Sequence, residues 1–304
     1  MEGIVPLWKP KGMTSHDCVV KIRKLFQTKK VGHTGTLDPE VEGVLPICVG
    51  QATKIVPFLT DTKKTYVAEM TLGYSTETED SHGQIVEKKE VSQPLEEMEI
   101  ISVLQQFQGK ITQVPPMYSA VKVNGKKLYE YAREGKIIDR PERMVYIDNI
   151  TLLSINSDQT EAPRISFKVT CSKGTYIRTL CVDIGRALGF PAHMSQLIRT
   201  KTGSFEQKDC FTFEQIDNAI NNGLADRVLA PLKKGVAHLD TYYIDTLDKY
   251  KVSNGQKLPL PDNLPKTNPF LVQYKEELMA IYQIHPANKN EIKPVRVFAR
   301  NEGR

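Results

Sequence analysis

Cysteine is sparse in this chain, and none of it has metal- or disulfide-forming spacing. Cys18, Cys48, Cys171, Cys181 and Cys210 make an odd number with no CxxC pair, which argues against a zinc ribbon and a secreted disulfide framework. Cys48 and Cys171 sit inside apolar runs and read as small hydrophobes. Long apolar runs are missing as well, since no window approaches the ~18 residues of a membrane span. The start, "MEGIVPLWKPKG", has an acid at position 2 and prolines breaking a short apolar stretch, unlike a signal peptide or anchor. The cytoplasm is the expected compartment. There is no GxxxxGK[ST] loop and no second histidine at ligand spacing, so nucleotide and metal chemistry lack a motif.

Charge of one sign is also in short supply. With 41 basic and 36 acidic residues the formal net charge is +5, so the distribution matters more than the total. The first thirty residues carry Lys9, Lys11, Lys21, Arg23, Lys24, Lys29 and Lys30 against Glu2 and Asp17. The tail carries Lys289, Lys293, Arg296, Arg300 and Arg304 against Glu291 and Glu302. Basic ends suit a polyanion; the alternative is a solvated face.

What is present is ordinary globular material, 40% hydrophobic and 25% charged over 304 residues, enough for about two domains. "SHDCVVKIRKLF" has Val19, Ile22, Leu25 and Phe26 at helical spacing, with Ser15 as the expected N-cap. "GVLPICVG" reads as a short buried strand, with Pro46 expected at an edge or bulge. In "KTYVAEMTLGYST", Tyr66, Ala68, Met70 and Leu72 alternate onto one face of a strand. "PLEEMEIISVLQQF" is an amphipathic helix. The stretch from about 116 to 143 mixes prolines, glycines, tyrosines and basic side chains, and reads as an insertion leaving the core. Ile165, Phe167, Val169 and Cys171 then alternate in a strand, and Ile177, Leu180, Ile184 and Leu188 follow helical spacing. Arg178 therefore falls in a first helical turn, slightly misplaced for the helix dipole, which favours a carboxylate partner. Near Asp240 the texture changes to a small all-β module. Interspersed strands and helices without a βαβ period predict an α+β fold with a mixed sheet.

"HTGTLDPEVEG", His33 to Gly43, is the stretch richest in chemistry. Its acids would repel a phosphate. Asp38, Glu40 and Glu42 could form a glycosidase-like pair, but alternate residues on an extended chain rarely flank a substrate. A single carboxylate beside a proline remains. Pro39 biases Asp38 to an extended or turn backbone, and two readings stand open: a turn former, or a reactive carboxylate held by a nearby cation.

"WKPKGMTS", "HTGTLDPEVEGVLPICVGQATK", "KTYVAEM", "VPPMYSAVKVNGKKLYEYAREG" and "CSKGTYIRTLCVDIG" occur in that order between about Trp8 and Phe205. Together they resemble the bacterial tRNA pseudouridine synthase B family. The resemblance implies a pseudouridine synthase fold, α+β with a mixed, largely antiparallel sheet flanked by helices. It places the catalytic domain at 1–240 and a small β-barrel-like, PUA-type RNA-binding module at 241–304. By motif, Asp38 is the catalytic aspartate, Tyr66 stacks on the uracil and takes its C5 proton, and Arg178 pairs with Asp38. His33 lies beside displaced bases and Leu197, in "MSQLIRT", walls the pocket. Lys9, Tyr118 and Lys122 are the further expected RNA contacts, and 116–143 is a clamp for the tRNA T-arm stem-loop. Neither metal nor cofactor is expected, and a monomer is expected to act without an obligate protein partner. The competing readings are an RNA-binding or tRNA-folding module with incidental catalysis, and a carboxylate-dependent hydrolase, which lacks a second placed acid.

Overall fold

A computed structural model of the chain describes residues 1–92, 95–156 and 162–298; Arg300 and Arg304 of the basic tail lie outside the described residues. In chain order the first part runs β1 (Gly3–Lys9), α1 (Ser15–Leu25), β2 (Val31–His33), β3 (Glu42–Val49), α2 (Val56–Thr60) and β4 (Lys64–Leu72). It continues with β5 (Tyr74–Thr76), β6 (Ile85–Lys88), α3 (Glu97–Gln106), β7 (Gly109–Gln113), β8 (Lys122–Val123), β9 (Lys126–Lys127) and α4 (Leu128–Arg133). Next come β10 (Arg143–Asn156), β11 (Arg164–Cys171), α5 (Ile177–Ala187), β12 (Ala192–Thr202), β13 (Phe205–Glu206), α6 (Phe213–Asn221) and α7 (Leu232–Gly235). The last part holds β14 (Thr241–Tyr243), α8 (Thr246–Ser253), β15 (Leu258–Pro259), β16 (Phe270–Tyr274), β17 (Glu277–Ile284) and β18 (Glu291–Val297).

A nine-stranded sheet in the order β1-β3-β12-β4-β11-β10-β7, with β2 added to β3 and β13 to β12, is the frame. All of its pairings are antiparallel except β12 with β3. On one face the alternating set Ala68, Met70 and Leu72 of β4 joins Ile165, Phe167 and Val169 of β11 under α3 and α5. α1 and α6 cover the β1–β3 region through Val19, Ile22, Phe213 and Ile216. A second sheet, β14-β16-β17-β18-β15, has its own core around Phe270, Val272, Ala280 and Ile292. Leu271 and Ile281 of that sheet pack with Ile4 and Phe205 of the first and with Ile55 between β3 and α2, so apolar burial joins the two.

Three local expectations are corrected. The cap of α1 is Thr14, not Ser15: Thr14 accepts from the Asp17 amide and Asp17 accepts from the Thr14 amide, a reciprocal capping box. Pro46 lies on an interior strand in unbroken register, directly opposite Pro6. The Pro6 carbonyl turns outward to the Phe211 amide and the Pro46 carbonyl turns to Thr34 Oγ1, so neither missing N–H falls where β1 and β3 exchange hydrogen bonds. The C-terminal part is not all-β, because α8 forms under an Asp245 cap that accepts from the Asp248 amide.

Candidate active site

The loop from His33 to Gly43 is fastened at nearly every residue. Leu37 and Val41 are buried in the core beneath the sheet. Between them the Val41 amide donates to the Asp38 carbonyl at 3.1 Å, closing a four-residue turn with Asp38 first and Pro39 second, the positions each favours. The two readings of Asp38, turn former and held carboxylate, are therefore compatible, since the turn is what presents its side chain. Ser15 Oγ accepts from the Leu37 amide at 2.9 Å and donates to the Leu37 carbonyl at 3.2 Å. Thr34 Oγ1 donates to the Pro46 carbonyl at 3.1 Å.

Lys9 is a correction. It is fully buried, and its Nζ donates to the carbonyls of Pro10 at 2.9 Å, Pro39 at 2.9 Å and Val41 at 2.7 Å. All three ammonium donors are used by backbone, so none is left for a phosphate. Burial lowers its pKa, opposed by Cys18, Glu40 and Asp38. Lys9 is a strut under the loop.

Arg178 Nε stands 3.2 Å from Asp38 Oδ2, the guanidinium side chain 8% exposed and the carboxylate 45%. Two further donors hold the guanidinium: NH1 to the Thr78 carbonyl at 3.0 Å and NH2 to the Tyr118 carbonyl at 2.9 Å. Tyr118 thus reaches the site through its backbone, from the insertion. Glu79, with φ 62°, accepts from Thr179 Oγ1 at 2.7 Å, and burial raises its pKa. Asp38 opens into a cleft of about 300 Å³ shared with Lys11, Glu40, Ser81, Gln196 and Leu197. Leu197 packs on the main core from the side, as a wall.

Tyr66 lies on β4 opposite Arg199 of β12, within the field of the Arg199 guanidinium. Burial raises its pKa and Arg199 opposes the rise. His33, half-buried, accepts from the Gly35 amide at Nδ1 over 3.3 Å. Burial first, then Arg199, lowers its pKa, so the ring is neutral near pH 7. Lys122 is exposed at the start of β8 in the β8–β9 hairpin and makes no ion pair among the described residues. Tyr129 is used inside the insertion, between Lys127 and Arg133.

Sequence reasoning missed Arg199 and Lys64. Arg199 is fully buried, donating from Nε to Val44 O at 2.8 Å and from NH2 to Gly35 O at 3.2 Å. The buried Lys64 ammonium donates to the carbonyls of Thr60 and Thr62. For Arg199 the available signal was a cation two residues past Leu197 on the same strand, hence on the same face. Gly43 explains the end of the loop. At φ +129° its Cβ would stand 2.3 Å from Arg199 O, so only glycine lets β3 lie against β12 there.

The mixed sheet with its inserted hairpin and a cleft beside an aspartate–arginine pair has the fold of the pseudouridine synthases. Residues 23–177 match the TruB family pseudouridylate synthase N-terminal domain, and residues 178–237 match the tRNA pseudouridylate synthase B C-terminal domain. The chain belongs to the TruB family of pseudouridylate synthases and is an isomerase. It is 58% identical over 300 residues to the tRNA pseudouridine synthase B of Oceanobacillus iheyensis, covering 98% of each chain. The Bacillus subtilis protein of the same description is 51% identical over 303 residues, again 98% of each. Among solved structures, a chain of an H/ACA RNP bound to a substrate RNA containing 2'-deoxyuridine aligns with TM-score 0.75 and 27% identity. That alignment covers 99% of this chain and 86% of the other. A chain of a Cbf5-Nop10-Gar1 complex aligns with TM-score 0.73 and 30% identity, over 98% and 84%.

Proposed function

We propose that the protein converts the uridine at position 55 of the tRNA T-loop to pseudouridine, with Asp38 as the catalytic carboxylate. The observation that carries this reading is the 3.2 Å Asp38–Arg178 pair at the mouth of the cleft, on a turn anchored from both sides. A target base inside a folded T-loop must leave the stack to reach the cleft, as base-modifying enzymes require. Tyr66 and neutral His33 offer surfaces for unstacked bases.

In the reaction the N1–C1′ bond breaks, the base turns, and C5 joins C1′. The C5 proton passes to Tyr66 as its phenolate and the electron pair restores the C5–C6 double bond. N1 takes a proton from water, and the hydroxide left takes the proton back from Tyr66. Atoms and electrons balance with no redox step. Arg178 fixes the carboxylate orientation through a charged hydrogen bond. Leu197 closes the apolar side, limiting water near the broken glycosidic bond.

The same reading makes 116–143 the clamp on the T-arm and 241–304 a PUA-like RNA-binding module. Exposed Tyr243, Leu247 and Tyr250 support the latter, beside Lys249 and Lys275 around Tyr274, an aromatic and basic surface suited to RNA. The test is incubation with an unmodified tRNA transcript and mapping of pseudouridine. Product at position 55, and none from a transcript carrying cytidine there, is the expected result. A folded protein that leaves position 55 unmodified overturns the reading.

A further inference from the structure

Arg199 is among the largest fully buried side chains of the protein, and among the described residues no carboxylate pairs with it. A guanidinium without a counter-ion in a dry interior is costly, so its retention calls for a use. Two of its donors go to backbone, Val44 O of β3 and Gly35 O of the Asp38 loop, and these are structural. The positive charge also lies beside a phenol of the site, because Tyr66 is the residue opposite Arg199 on the neighbouring strand and sits in the field of its guanidinium. Arg199 and Tyr66 are direct partners in the β4–β12 register, so the backbone sets the two side chains beside each other on one face of the sheet.

A phenol accepts a proton only as its phenolate, and burial makes a phenolate expensive. A guanidinium on the oxygen offsets that cost, more strongly in a low dielectric than in water. The other charged or titratable groups around the pair are Lys64 on β4, Cys171 on β11, Cys210 beyond β13, and His33 and Asp38 of the loop. Lys64 adds positive charge. Asp38 is turned to Arg178, and His33 is neutral near pH 7, so the local balance around the phenol is cationic.

We propose that Arg199 is a positioning residue that holds the Tyr66 oxygen and stabilises its phenolate, thereby setting the rate of C5 proton removal. This rests on the assignment of Tyr66 as the base. Through Gly35 the same guanidinium is tied to the loop that carries Asp38, so the group that starts glycosidic cleavage and the group that ends the reaction share one rigid support.

The experiment uses full-length protein and tRNA carrying uridine, 5-deuterouridine or 5-fluorouridine at the target position. Arg199→Met is expected to slow single-turnover pseudouridine formation roughly 100-fold, within the range of general acid–base catalysis, with tRNA affinity within about threefold, under 1 kcal/mol. Deuterium at C5 should slow this variant further than it slows the unaltered enzyme. The fluorinated substrate has no C5 proton to lose, and its rearrangement should stay near the unaltered rate. Equal slowing on all three substrates overturns the proposal and leaves Arg199 a strut for the loop. Should Arg199→Met melt early, Arg199→Lys carries the same comparison: an enlarged isotope effect supports the proposal and an unchanged one overturns it. Tyr66→Phe separates the two readings. If Tyr66→Phe removes the C5 proton at the unaltered rate, the base assignment fails; if it does not, and Arg199→Met does, only the role of Arg199 fails.

Discussion

The Lys9 ammonium donates to the Pro39 carbonyl at 2.9 Å, directly behind the residue that presents Asp38. A charge at the N-terminal end of the chain is thereby spent inside the molecule, under a loop thirty residues away.

Lys9→Met is expected to lower stability by about 1–3 kcal/mol, because buried carbonyls lose their donor. Pseudouridine formation should fall with it as the turn relaxes. The slope of log affinity against log salt should not change, whereas Lys122→Ala should flatten it by about one unit if Lys122 meets a phosphate. Denaturant titration and binding at several salt concentrations check both; a flattened slope for Lys9→Met would return that residue to the RNA surface.

Asp38→Asn keeps the size and turn preference of the side chain and removes its charge. Product should fall below detection while tRNA binding changes by less than about tenfold, 1.4 kcal/mol. Measuring product and affinity on one preparation decides it, and substantial turnover by the variant would sink the catalytic assignment.

Gly43→Ala places a methyl 2.3 Å from Arg199 O at φ +129°. Strain of about 1–3 kcal/mol is expected from the backbone conformation alone, together with separation of β3 from β12. A fall in the unfolding midpoint with loss of activity is the expected outcome; a variant as stable as the original would mean the strands part at no cost.

Lys64 supplies a pH dependence. Burial, reinforced by Arg199, lowers its pKa from 10.5 to about 8. Between those values the unfolded chain holds a proton that the folded protein has released, so this residue's contribution to stability rises with pH across that window. The stability of the unaltered protein relative to Lys64→Met should therefore climb from pH 8 to pH 10. A flat difference would show an ammonium that is not desolvated.

The elements that carry the fold were legible because their periodicities were strong. Alternation in β4 and β11 and the three–four spacing of α1 and α5 each put one continuous stripe toward an apolar partner. The pairing of Asp38 with Arg178 was expected from long ordered motifs, and the structure brings the first turn of α5 to the Asp38 turn. Less visible features were those in which one short-range preference competes with another. Thr14 and Ser15 are both good caps, and Leu37, distant in sequence, claims Ser15. α8 was hidden in a turn-rich stretch with weak amphipathicity. Pro46 looked like an edge residue because its facing partner, Pro6, cannot be inferred from β3 itself.

By itself the sequence determined the strongly periodic helices and strands, the loop richest in chemistry, and the family to which the chain belongs. Only the tertiary structure decided what each cation does. Lys9, Lys64, Arg178, Arg199 and Lys122 are all plain positive charges in one dimension. Folding leaves Lys122 in water, where a charge is free to meet a polyanion. It draws the other four out of water, and a desolvated charge must satisfy its donors nearby. Lys64 finds its carbonyls close by in the chain, at Thr60 and Thr62. Pro39, Asp38 and Gly35 are near Lys9, Arg178 and Arg199 only because strands and loops far apart in the chain are brought together by burying the same core.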